Sequence, residues 1–309
     1  MRKVCFIIII FCTMNTQLKA QQGPQEPGSL MYDLVWNPAG TADHNHLSFG
    51  VNNRQEWFGF KNAPRTGILY VEKSFWEQNM SVGGYIQKDQ NGFFSDIKIG
   101  LNYSYQLRIN EVQLSVGIGF WTNSISFDLS NLRTLKSDPV VENLNNGRGY
   151  EGNVGIYLSN KVENFEDESN FFFGAYLDKI STLFKKSDLI NNVYDNVWQG
   201  GIYGGIQLKY KNIDLEPMFW IDYENHSPLR YYGGASVNFY ETLLFGLYYS
   251  NDERIHTKIE VSIHNRILRD GCLRVYAIPS LNLGNGVLKK TISIEVGIRY
   301  DFIQELIRI

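Results

Sequence analysis

His44 and His46 stand one residue apart, a spacing at which two imidazoles can share a metal ion. No third ligand of suitable kind is evident, and a protein metal site needs at least three, so the pair reads as a turn before a strand. The acidic run of Glu163, Glu166, Asp167 and Glu168 offers oxygen ligands, yet it lacks the regular spacing and central Gly of a calcium loop and reads as a solvated connection. His256 and Ser262 are candidates for a hydrolytic pair, but six residues of extended chain separate them by about 20 Å, so they cannot meet directly. No Gly-rich loop runs from a strand into a helix, so nucleotide chemistry has no seat. The sequence therefore predicts no catalytic residue, no cofactor and no metal, and the protein is expected not to be an enzyme.

The remaining charged candidates share a rhythm. Lys98, Asp214, Glu216, Lys258, Glu260, Arg274, Glu295, Arg299 and Asp301 all fall on one face of segments that alternate with period two. Ser95–Phe120 shows the pattern best. Ile97, Ile99, Leu101, Tyr103, Tyr105 and Leu107 point one way, against Lys98, Gly100, Asn102, Ser104 and Gln106. After the turn 108–111, Val112, Leu114, Val116, Ile118 and Phe120 oppose Gln113, Ser115, Gly117 and Gly119. Soluble strands average about five or six residues, whereas a tilted membrane strand needs roughly nine to eleven. The hairpin is long enough to cross a bilayer, with the charges turned into a watery interior. Their mixed sign predicts a mutually neutralising network in place of a selective ring.

Fourteen strands are predicted, near 46–53, 66–73, 79–87, 95–107, 112–121, 149–159, 170–178, 200–210, 213–222, 230–239, 242–250, 255–263, 272–281 and 291–302. Tight turns at 108–111, Lys211-Asn212 and Tyr240-Glu241 follow even-numbered strands, and the longest connections, 122–148 and 179–199, follow odd-numbered ones, as an even-stranded membrane barrel requires. The connection 160–169 is long for the short-turn side. Pro217 falls inside the ninth strand, and a bulge there would accommodate it. Trp121, Trp198, Tyr231, Tyr232 and Tyr249, near strand ends, suit an interfacial aromatic girdle.

Composition agrees with this reading. The 19 Tyr, 19 Phe and 28 Gly accompany a mean hydropathy of only −0.25, the average that strands apolar on one face produce. Residues 1–20 read as a secretory signal, with Arg2 and Lys3, an apolar run from Val4 to Cys12, and Leu18-Lys19-Ala20 before Gln21. The run is too short for a membrane helix, and Ile9-Ile10-Phe11 lacks the small residues of a lipoprotein site at Cys12. Loss of Arg2, Lys3 and Lys19 lowers the 29 basic residues to 26 against 32 acidic, a balance of −6 that attracts no nucleic acid. Cys5 and Cys12 leave with the signal, so Cys272 remains without an internal disulfide partner.

Two blocks carry a family resemblance. Met31–Gly40 ends in Asn37, Pro38, Ala39 and Gly40, and 54–66 holds Arg54, Trp57, Gly59, Phe60, Ala63, Pro64 and Thr66 in register, after a mature start at Gln21 and Gln22. Together they resemble the signature of the PorP/SprF family of outer-membrane proteins associated with type IX secretion and gliding motility. Asn-Pro-Ala alone is a weak turn signal; the second block is specific. The resemblance implies a barrel in the cell outer membrane that docks or helps deliver secreted adhesins through their C-terminal sorting domains, working with periplasmic and lipoprotein components of the machinery. Gly59 and Pro64 would fix a turn, and Trp57 and Phe60 would pack in the barrel mouth. Arg54 or Arg65 would pair with lumenal carboxylates. Bracing of the barrel and contact with a partner both stay open for this block.

The expected organisation is all-β: a signal peptide at 1–20, an N-terminal periplasmic segment at 21–45, a transmembrane barrel of about 14 antiparallel strands at 46–302 embedded in membrane lipid, and a tail at 303–309. The alternative functions are a channel or transporter for small or hydrophobic solutes, or, less in keeping with the strand lengths, a soluble secreted binding protein. Sequencing the amino terminus of the exported protein should return Gln21 first; Met1 would remove the export signal from this account.

Overall fold

The computed structural model describes residues 32–41, 46–110, 112–128, 146–160, 170–183, 197–225, 227–265, 271–284 and 291–303. The signal peptide, Gln21 and Gln22, His44, the acidic run 163–168 and residues 304–309 lie outside them. Fourteen strands are present: β1 His46–Gln55, β2 Arg65–Phe75, β3 Met80–Asn91, β4 Phe94–Ile109, β5 Val112–Phe127, β6 Gly147–Ser159 and β7 Asn170–Asp178. The other half comprises β8 Gln199–Tyr210, β9 Ile213–Glu224, β10 Arg230–Phe239, β11 Leu243–Ser250, β12 Arg254–Asn265, β13 Gly271–Asn282 and β14 Ile292–Ile303. Each pairs antiparallel with its neighbours in sequence, and β14 closes on β1 from His46↔Ile303 to Gln55↔Ile294. The sheet is a closed barrel without an edge. No helix of the described residues is long and apolar enough to cross a membrane; the strands do so.

The period-two pattern decides which side faces out. On β4, Ile97 through Leu107 at odd positions are exposed while Asn102, Ser104 and Gln106 are buried; on β5, Val116, Ile118 and Phe120 are exposed against Gln113 and Ser115. Leu101 is 68% exposed and stands in an unbroken outward row of apolar side chains, the contiguous surface that an apolar solvent favours. β4 and β5 each run 16 residues, longer than the alternation alone suggested: β5 continues past Trp121 through Phe127 with Thr122, Ser124 and Ser126 at its outward positions, and β4 adds Phe94 at one end and Arg108-Ile109 at the other. The tight turns sit where expected: Asn110 and Lys211 adopt left-handed conformations, and Tyr240 and Glu241 both have positive φ, the geometry of a two-residue hairpin turn.

Three expectations are corrected. Pro217 causes no bulge. On the β8 side Gly205 pairs with Met218 and Leu208 with Leu215 in one unbroken register, and the ladder simply skips the residues between, while Pro217 keeps its place opposite Ala235 on β10. A residue with no N–H removes a ladder bond without inserting length. Pro279 does the same between β12 and β13, where pairing passes from His256↔Ser280 to Ile259↔Ala277. Trp121 and Tyr232 are buried on the inner face and take no part in a girdle, whereas Tyr249 is exposed and Trp198 packs on the outward Tyr223 at 5.4 Å. The parity of their strands, not their nearness to strand ends, sets their direction.

If lipid is the outer solvent, Leu101→Arg should lower unfolding free energy in bilayers by about 2–4 kcal/mol. Urea titration in vesicles measures this, and an unchanged midpoint would contradict the assigned outer face.

Candidate functional site

The first block lies inside the barrel. Residues 32–35 form a 3-10 turn, and Pro38–Gly40 form a second, with Asn37 as its cap and Pro38 at its first position, where the missing N–H costs nothing. The Asn37 side chain is used at both ends. Its Oδ1 accepts from Ala39 N–H at 2.9 Å, and its Nδ2 donates to the Ile156 carbonyl of β6 at 3.0 Å and to the Tyr203 hydroxyl of β8 at 3.1 Å. The Tyr203 hydroxyl in turn donates to Asp33 Oδ2 at 3.1 Å. Asn102 of β4 donates to the Leu34 carbonyl at 2.5 Å, Ser104 to the Thr41 carbonyl at 3.5 Å, and Tyr32 reaches Glu295 of β14 at 3.3 Å. The segment thus bonds to walls on opposite sides of the lumen. Leu34, Val35, Asn37, Ala39 and Thr41 are fully buried. Of the stretch 21–45 expected on the periplasmic side, the described part, 32–41, is packed within the barrel.

The wall is shaped to receive it. A Cβ on Gly117 would lie 2.2 Å from Ala39 N and 2.4 Å from the Pro38 carbonyl carbon, one on Gly155 would lie 1.8 Å from Asn37 Oδ1, and one on Gly83 would meet Thr41 and Leu34. Backbone approaches backbone at Gly117, so any side chain there displaces the turn. Opposite the block stands an aromatic column: Tyr203 stacks on Trp220 at 4.6 Å, and Trp220 on Tyr232 at 5.9 Å, with Tyr176 edge-on. Tyr176 donates to Asp222 at 2.5 Å, and that carboxylate also takes Gln199 and Arg230.

The lumenal charges expected from the alternation form paired networks. Arg299 bonds Asp301 at 2.6 Å and Glu72 at 3.2 Å; Lys258 meets Glu260 at 2.8 Å; Lys98 meets Asp178 at 3.5 Å, which also accepts from Trp121 at 2.7 Å. Arg274 faces Asp301 at 3.6 Å, Asp214 accepts from Gln207 at 3.1 Å, and Glu216 accepts from Ser236 at 3.2 Å. Glu295 accepts from Asn52 at 2.7 Å. Arg299, Lys258, Lys98 and Arg274 are thus matched by carboxylates, Asp214, Glu216 and Glu295 are held by neutral donors, and among the described residues the two signs are mixed along the wall.

The second block forms the β1–β2 connection at the opposite end from the tight turns. Arg54 is buried and pairs with Glu56 at 3.1 Å, which also meets Arg254. Thr66 donates to Asp89 at 2.6 Å, Ala63 and Pro64 are buried, and Trp57 and Gly59 take positive φ. The turn expected at Gly59 and Pro64 is therefore present. Phe60, expected to pack in the mouth, is half exposed, and Phe58 more so; the loop continues the β1–β14 seam, with Phe58 N–H donating to the Ile292 carbonyl and Trp57 N–H to the Ser293 hydroxyl at 3.4 Å. Arg65 points outward and finds no lumenal carboxylate. One block fills the lumen and the other caps a seam of the wall; they approach at Glu295, which accepts from Tyr32 and is the β14 register partner of Arg54.

His256 does acquire partners, though not Ser262. Its Nε2 lies 2.8 Å from Ser250 Oγ and its Nδ1 2.8 Å from Ser280 Oγ. The Ser250 proton is committed to Asp252, so the ring donates to Ser250 and accepts from Ser280. The ring thereby ties β11, β12 and β13 together on the inner face. Among the described residues, no group of three or more His, Cys, Asp or Glu converges as a metal site. The depth of residues 32–41 was missed; the signal was Gly83, Gly117 and Gly155 on the inner faces of β3, β5 and β6, where absent side chains leave room for another segment.

A family model described as "Type IX secretion system membrane protein PorP/SprF" matches residues 19–301. No curated protein matches the sequence. Among solved structures, the toluene transporter TbuX of Ralstonia pickettii superposes with a TM-score of 0.53 at 9% identity, covering 91% of this chain and 94% of that one. The toluene transporter TodX of Pseudomonas putida does so with 0.51 at 7% identity, covering 92% and 94%. At such identities the likeness is one of fold. Gly117→Ala should unseat the 37–40 turn and lower stability by about 2 kcal/mol through the lost Asn37 bonds. Gly147→Ala, with open space around it, should not. Thermal midpoints from heat-modifiable gel migration compare the two, and equal midpoints would mean that Gly117 does not seat the turn.

Proposed function

This chain belongs to the PorP/SprF family of type IX secretion system membrane proteins, and from that membership we propose that its outer-membrane barrel docks, or helps deliver, secreted cell-surface adhesins through their C-terminal sorting domains. The observation that carries the reading is the occupied lumen. With residues 32–41 bonded across the interior and aromatic and ion-paired side chains filling the walls beside them, the barrel offers its rims, not its bore, to a partner. The long connections would face the cell exterior and the tight turns the periplasmic and lipoprotein components, following the usual asymmetry of outer-membrane barrels. Gliding motility enters through the cargo, and no catalytic step is assigned to the protein.

Solute transport is the competing function, the one for which the two toluene transporters of similar fold are named. It requires the N-terminal block to leave its seat. Two measurements on one preparation separate the readings. Affinity purification from native membranes should recover a large surface protein bearing a C-terminal sorting domain, and truncating that domain should abolish recovery. Planar bilayers should show no steady conductance for the intact protein. Sustained conductance with no recovered cargo would replace docking by transport.

A further inference from the structure

The outward positions of the fourteen strands carry four charged side chains among the described residues, and all are cations: Arg65, Lys73, Lys88 and Arg148. No acid shares that face. Arg65 and Lys88 sit together. Asn53, Gly67 and Lys88 are register partners across β1, β2 and β3, and Gln55, Arg65 and Gln90 form the next row toward the long connections. The row on the other side is Val51, Leu69 and Ile86, each about half exposed. Arg65 and Lys88 are diagonal neighbours, within reach of one anion for side chains of that length.

Between them is a recess. A Cβ on Gly67 would meet one atom, the Asn53 amide nitrogen at 3.8 Å, so the floor is open while its rim presents the guanidinium, the ammonium and amide donors. The apolar row begins one pleat below, about 7 Å along the strand from Lys88. Donors above greasy side chains, at the edge of the hydrocarbon band, match a molecule with a phosphate at one end and acyl chains at the other. We propose that the Asn53–Gly67–Lys88 row with Arg65 is a binding site for the anionic phosphate headgroup of a membrane lipid in the leaflet nearest the long connections.

Native mass spectrometry of the full chain in detergent, titrated with phosphatidylglycerol and with phosphatidylcholine, tests this. The intact protein should retain phosphatidylglycerol preferentially, and Arg65→Gln with Lys88→Gln should weaken that retention about tenfold or more. Gly67→Leu should weaken it while both cations remain, and Arg148→Gln, on a distant strand, should leave it unchanged. Heat-modifiable migration confirms that each variant is folded. Equal retention of the two lipids, an effect of Arg148→Gln as large as that of the pair, or full displacement by millimolar inorganic phosphate would overturn the proposal. So would variants that keep the lipid but lose a co-purifying surface protein, which would give the patch to a protein partner.

Discussion

Hydrocarbon supplies no hydrogen bonds, and every other feature of this molecule follows from that restriction. A strand in lipid must hand each backbone donor and acceptor to a neighbouring strand, and a sheet with an end leaves one row unserved. Pairing of His46–Gln55 with 294–303 removes the last open row. Once the sheet is closed, side-chain parity does the sorting. Leu101 and Ile118 meet lipid, and Asn102 and Gly117 cannot avoid the interior.

Closure raises a second problem, that of filling the polar cavity it creates. The chain uses its own leading residues. Asn37 serves as cap for one turn, donor to a wall carbonyl and partner of Tyr203, so the same amide shapes the insert and fastens it. Glycines at 83, 117 and 155 supply the hollow, and the Arg299, Glu72 and Asp301 cluster fills the side that the insert leaves. Buried ion pairs of this kind add little net stability, since desolvation offsets attraction. Their role here is to occupy a space that apolar side chains would make indistinguishable from the outer surface.

All fourteen strands were legible in the alternation, because a two-residue period survives wherever one face meets lipid and the other does not. The far end of β5 was not, since Thr122, Ser124 and Ser126 on its outer face with Ile125 and Phe127 on its inner face reverse the contrast that marks the rest of the strand. Trp121 was misdirected by its position although its parity beside Phe120 already turned it inward. The two signature blocks were visible as residues but not as places. Asn37-Pro38-Ala39-Gly40 reads as a turn wherever it sits, and only the glycines on facing strands, far away in sequence, reveal that the turn is enclosed. Phe60 was expected to be covered, and its exposure follows from a loop held by bonds to Ile292 and Ser293, far away in sequence, that no local pattern encodes.

Pro217 and Pro279 each cost the wall a donor. Toward β8 in the one case and β12 in the other, the ladder resumes in the same register within three residues, so the seams stay closed, but a carbonyl of the facing strand is left without its backbone rung. Hydrocarbon cannot answer that oxygen, which makes these two points the places where the cylinder departs from full self-sufficiency.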